Sequence, residues 1–288
     1  MNRDQRRSSI GGSVLAHALL CFAALLVLLP FVWLVLATFR TNEDFFPSLF
    51  LPTGDGVFGV AWDRLTLQNF RTLFLSVGFG RSLLNSLFLS SVTSILATLV
   101  CAMAGYALAR LDFKGRRLIG GLVLGALVIP PPLLVASGFQ VLFDLGLLDT
   151  YTGLILPAIA PAFGVYLFRQ AVVSGVPREL LEAARSDGCG EVRAFFKIVL
   201  PLVQPMTAAF LLITFLAVWN NYLTPQIVLQ SEEKFPLAVR IAQLKNVYYQ
   251  DYGLLMAGTL VSIVPVAGLF LFLQRDFVAG LTSGAVKG

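Results

Sequence analysis

Apolar residues run in long blocks, and polar residues gather between them. Six blocks approach or exceed the ~20 residues that cross a hydrocarbon core: 14–39, 83–108, 118–139, 151–168, 202–223 and 253–273. Helices are expected for all six, because a helix satisfies its own backbone in lipid and an open strand does not. The predicted fold is an all-α membrane protein, six transmembrane helices in one domain over residues 1–288, surrounded by membrane lipid. Prolines interrupt the blocks at Pro30, Pro130 to Pro132, Pro157 with Pro161, and Pro265. Each removes a backbone donor and tends to kink a helix. The triple proline reads either as an adjustable kink or as a broken helix lining a pathway. Block two carries Ser90, Ser94, Ala97, Cys101 and Gly105 at three- to four-residue spacing. That narrow face predicts close helix packing in lipid.

Composition agrees. Of the 288 residues 57% are hydrophobic and 13% charged, and the mean hydropathy is +0.81. Soluble domains carry ~25% charged residues. The net charge of +5 points to cationic loops rather than nucleic acid, since the basic residues sit between apolar blocks. The three cysteines, Cys21, Cys101 and Cys189, form no CxxC pair and indicate neither a disulfide framework nor a metal site. His17, the only histidine, reads as a headgroup-level or packing residue. The first apolar block is too long for a signal-peptide h-region and is read as a retained span.

Lysine and arginine set the expected orientation. With six spans both termini share a side. That side carries Arg3, Arg6, Arg7, Arg110, Lys114, Arg116, Arg117, Arg169, Arg178, Arg185, Arg193, Lys197, Arg275 and Lys287, or 14 of 21 basic residues. Both termini are therefore expected in the cytoplasm of a cytoplasmic (inner) membrane protein. On the other side, 40–82 is a long loop with an amphipathic stretch expected at 67–75. The loop at 224–252 ends in Tyr248, Tyr249 and Tyr252, which suit an interfacial belt or a docking surface.

Residues 169–201, between spans four and five, form the most informative loop. Pro177 can open a helix, and Arg178 with Glu182 and Glu182 with Arg185 are spaced for ion pairs. Gly188 suits a left-handed C-cap. A second helix follows from Glu191, with Val192, Phe195, Phe196 and Val199 on one face and Pro201 at its end. The expected loop is a cytoplasmic helix–turn–helix, either resting on headgroups or inserting into a partner's groove.

Glu182, Ala183, Ala184, Gly188, Ile198, Leu200 and Pro201 resemble the EAA motif of binding-protein-dependent ABC importer permeases at every fixed position. Tyr106 to Arg110, Lys114 to Arg117, Trp219 to Asn221, Gln274 with Arg275, and 280–288 are similar to the carbohydrate-importer branch, closest to the smaller membrane subunit of maltose-type systems. The resemblance covers nearly the whole chain. It implies that those seven motif residues dock an ATPase as a coupling helix. It also implies two ATPase subunits, a second permease subunit expected to be a different chain, and an extracytoplasmic solute-binding protein. The tail at 280–288 is expected to be flexible and to enter the groove between the ATPases. Two departures stand out: Pro130 to Pro132 where many relatives have one proline after a Gln-Met pair, and Asn221 where an acidic residue is common.

No GxxxxGK[ST] is present, so no cofactor is expected on this chain, and ATP and Mg belong to the partner ATPases. The expected role is translocation of a sugar or oligosaccharide, without enzymatic activity of its own. Trp219, Asn220, Asn221, Tyr222 and Gln140 are candidates for the substrate pathway, against their alternative reading as interface anchors. An ion-coupled secondary transporter is the rival, but blocks two to six hold no Asp, Glu, Lys or Arg within 83–109, 118–139, 151–168, 202–223 or 253–273. A membrane enzyme would need an acid, base or metal cluster at that depth, and none is visible.

Overall fold

A computed structural model describes residues 3–244 and 251–285. Tyr248 and Tyr249 lie outside these, as do residues 286–288. The described chain is helical, and its one antiparallel bridge, Thr53 with Val60, belongs to no strand. It divides into two compact units, residues 1–78 with 243–262, and residues 79–242 with 263–288.

In the first unit, α1 (Arg3–Ala37) holds the apolar segment Leu15–Ala37. Every side chain from Leu15 to Val32 is exposed within the chain, so lipid or another subunit must cover it. Pro30 lies inside this helix without ending it. Beyond α1 the chain folds back around Arg40, which is fully buried. Its guanidinium donates to the carbonyls of Phe45 at 2.7 Å and Leu49 at 3.2 Å, and to those of Asp44 and Ser48. The Asn69 amide donates to the Thr38 and Arg40 carbonyls at 2.8 and 2.9 Å. A Cβ on Gly253 would come within 2.7 Å of that Arg40 oxygen. Tyr252 stacks on Phe45 and meets Phe46 edge-on, both at 4.9 Å. In the expected amphipathic stretch, Leu73 is buried while Leu67 and Leu75 are exposed.

The second unit is built on α2 (Phe79–Arg110). All five small residues of its narrow face are buried, as their spacing predicts. α6 (Ala162–Gly175) presses on that face. A Cβ on Gly105 would lie 2.6 Å from the Arg169 nitrogen and 2.7 Å from the Phe168 Cβ. Opposite Cys101, Gly164 is equally close-packed, and Phe168 meets Phe210 edge-on at 5.3 Å.

The proline signals divide. α3 (Arg116–Ala126) and α4 (Val135–Asp144) are joined by a tight turn through Pro131–Leu134, with a bend of 103°. α5 (Tyr151–Ala158) bends by 40° into α6, whose cap is Pro161. Pro265, by contrast, sits inside a continuous helix, Tyr252–Ala285. That helix carries 280–285, so this part of the tail is helical where a flexible segment was expected. Three single helices are long and apolar enough to cross a membrane. The described residues give up to six spans if each bent pair counts as one.

Candidate functional site

α7 (Arg178–Ser186) begins immediately after Pro177, in the loop where the sequence places it. Its end is a Schellman motif. The Gly188 amide donates to the Arg185 carbonyl at 3.0 Å and the Cys189 amide to that of Ala184 at 2.9 Å. Gly188 has φ +78°, and nothing lies within 4 Å of where its Cβ would be. The glycine is therefore required by backbone conformation, not by crowding within the chain.

The motif residues separate into two sets. Glu182, Ala183 and Gly188 are exposed, with Ala184 half-buried beside them. Ile198 and Leu200 instead pack against the core that contains Val199 and Phe195. Pro201 is exposed, but it does not stop the second helix as expected. α8 (Glu191–Leu202) passes through it, and the break comes at Val203, with an 84° bend into α9 (Gln204–Trp219). The predicted face is also corrected. Phe195 and Val199 are buried together with Ala194, whereas Val192 and Phe196 are exposed. A π-helical turn at Phe195–Val199 changes the residue spacing on which the regular helical face was drawn.

A polar cleft of ≈230 Å³ opens beside α7, lined by Arg110, Asp112, Arg116, Arg178, Glu182 and Arg185 among others. Its arginines have structural work. Arg110 donates to the terminal carbonyls of α6: Val172 and Val173 at 3.1 Å and Val176 at 2.5 Å. Arg116 does the same for α2, to Leu108 at 2.9 Å and Ala109 at 3.0 Å. Both donate to carbonyls in the last turn of a helix, where acceptors and partial negative charge accumulate. Arg185, spaced to pair with Glu182, forks instead onto Glu191.

The five pathway candidates do not converge. A cavity of ≈410 Å³ lies between α2, the broken α3–α4 segment, α5 and the chain after α9. Of the five, Asn221 lines it. Trp219 is buried and stacked on Phe215 at 5.6 Å. Asn220 and Tyr222 are exposed, and Asn220 donates to the Leu216 carbonyl at 2.9 Å. Gln140 is exposed and donates to Asp144 on its own helix at 2.9 Å. Ser86, Ser90 and Thr93 give the polar wall on α2, with Asn221 and Thr224 opposite in the chain after α9. The sequence signalled Ser90 only as a packing residue. Pro131, Leu134 and Phe139 of the broken segment supply part of the apolar wall, so the triple proline does shape a cavity.

Far along α2 from the α7 loop, Asp149 (φ 54°) joins two loops. It accepts from Lys234 Nζ at 2.7 Å, from Ser231 Oγ at 2.5 Å, and from the Gln230 and Ser231 amides at 3.0 Å. These donors, Lys234 first, hold its carboxyl well below the usual carboxylate range.

Residues 94–278 match the family described as binding-protein-dependent transport system inner membrane component. The chain belongs to this family. It is thus a multi-pass inner-membrane permease of an ABC importer, a translocation subunit whose ATPase is a separate chain. The permease is 42% identical over 276 residues to the arabinooligosaccharides transport system permease protein AraQ of Halalkalibacterium halodurans, covering 93% of this chain and 94% of the relative. It is 33% identical to the lactose transport system permease protein LacG of Rhizobium radiobacter, over 95% of this chain and 96% of that one. Its fold is similar to a chain in the crystal structure of a bacterial ABC transporter involved in the import of the acidic polysaccharide alginate. There the TM-score is 0.75 at 24% identity, covering 96% of this chain and 99% of that one.

Proposed function

We propose that this permease carries a neutral sugar or short oligosaccharide across the inner membrane, inward from an extracytoplasmic solute-binding protein. The observation that carries the reading is the 42% identity, end to end, with a permease named for arabinooligosaccharides. A second saccharide-named relative at 33% supports it. The whole chain acts as one transmembrane permease domain of six spans, three of them bent, with both termini in the cytoplasm. It works beside a second permease subunit that is a different chain. Two ATPase subunits bind ATP and Mg and dock against the exposed set Glu182, Ala183, Ala184 and Gly188. Ile198 and Leu200 anchor the docking loop to the body, and exposed Pro201 stands beside them on the docking side. ATP-driven closure pushes α7 and biases the bundle between inward- and outward-facing states. Asn221 and the ≈410 Å³ cavity that it lines belong to the pathway.

The test is uptake of labelled arabino-oligosaccharides and lactose by cells with and without the gene. Loss of saccharide uptake on deletion, restored by the cloned gene, is expected. Unchanged uptake of every saccharide, with loss of a non-carbohydrate solute, would overturn the substrate class.

A further inference from the structure

The inference concerns how α7 is tied to the membrane-embedded part, and it rests on the docking role proposed for α7. Of the nine residues of α7, Leu181 alone is buried. A helix held by one apolar anchor would pivot under load. The polar tie is supplied by Glu191, the first residue of α8. Arg185 Nε donates to Glu191 Oε1 at 2.7 Å, and Arg185 Nη2 to Oε2 at 3.3 Å. This forked pairing fixes orientation as well as distance. Tyr106 Oη donates to Glu191 Oε2 at 2.5 Å. Tyr106 is 4% exposed on α2, with its ring 6.0 Å from that of Phe195. One carboxylate therefore holds the end of α7, the start of α8 and the buried face of α2. An exposed ion pair alone contributes little, but the branch to a buried tyrosine joins it to the packed core.

We infer that Glu191 is the joint through which movement of α7 reaches α2, a positioning residue of the transport cycle. Arg185 is its handle on the docking helix and Tyr106 its hold on the span.

The experiment uses the complete importer, with its ATPase and binding protein, in liposomes. Glu191→Ala, Tyr106→Phe, their double variant and Glu191→Gln are compared for ATPase retained on the permease, ATP hydrolysed, and solute moved per ATP. ATPase retention and hydrolysis should persist, while solute per ATP falls about fivefold, a size ordinary for coupled pairs. The double variant should be no worse than Glu191→Ala. Glu191→Gln, which still accepts from Tyr106, should fall between. Normal solute per ATP in both single variants overturns the joint, and so do losses that add in the double. ATPase lost from Glu191→Ala but not from wild type places Glu191 on the docking surface instead, which also overturns it. ATPase that fails to stay on the wild-type permease refutes the docking reading itself.

Discussion

Gly105 faces Phe168 so closely that a single methyl at Gly105 would stand 2.7 Å from the Phe168 Cβ and 2.6 Å from the next backbone nitrogen. The neighbouring atoms are backbone and Cβ, which cannot swing away. Gly105→Leu should therefore force α2 and α6 apart. Overpacking of this kind costs about 1–3 kcal/mol. The expected outcome is a lower melting temperature in detergent and a smaller yield of folded permease, with Gly105→Ala milder. A Gly105→Leu protein as stable as wild type would show that the helices are not in this contact.

Gly188 makes a different prediction, because the space around it is empty and only its backbone is special. A side chain in the left-handed conformation costs roughly 1–2 kcal/mol. Gly188→Leu should insert normally but lose ATPase on pull-down from membranes, and uptake should fall with it. Gly188→Asn, which tolerates that conformation better, should retain more of both. Undiminished co-purification and uptake in Gly188→Leu would mean that the turn rests on headgroups.

The Asp149 cluster should give a pH signature. Its carboxyl titrates below the ordinary range in the folded protein, so its stabilising contribution is complete above the unfolded pKa of ~3.9. As pH falls below that value the contribution is lost progressively toward the folded pKa. Asp149→Asn removes the charge while tolerating the positive φ. The melting-temperature gap between wild type and Asp149→Asn should be constant from pH 7 to 5 and shrink below about pH 4. A gap that stays constant to pH 3 would refute the charge as its source.

ATP dependence supplies a fourth prediction. The purified permease alone in liposomes should neither split ATP nor accumulate solute, and both activities should appear on adding the ATPase and binding protein. Phosphate release by the permease free of other chains would contradict the absence of a phosphate-binding loop from its sequence.

What the sequence revealed follows from the range of each signal. Gly188, the cap and α7 were legible because a helix end is written in a few adjacent residues. The narrow face of α2 was legible because small residues at helical spacing admit few other uses in lipid. The polar wall of the cavity was not, because Ser86 and Thr93 share that helix with hydroxyls that only pack. That Gln140 and Tyr222 do not line this cavity was hidden for the complementary reason: polarity near a span end does not say which way the side chain faces. Glu191 was read as a helix start. Its meeting with Tyr106 spans 85 positions and depends on how α8 lies against α2, which no local pattern encodes. The π-helical turn at Phe195–Val199 defeated the regular periodicity in the same stretch.

The arginines at the ends of α2 and α6 carry a last consequence. Arg110 and Arg116 count as two positive charges when orientation is read from composition, yet each is wrapped in carbonyl oxygens at a helix terminus. Their field is partly spent on those partial negative charges before it reaches the surface. The exposed positive charge at this end of the bundle therefore sits mainly on Lys114, Arg117, Arg178, Arg193 and Lys197. The same count of basic residues thus holds two populations, one that cements helix ends and one that stands exposed at the surface. Salt should screen the field of the second and leave the first largely untouched.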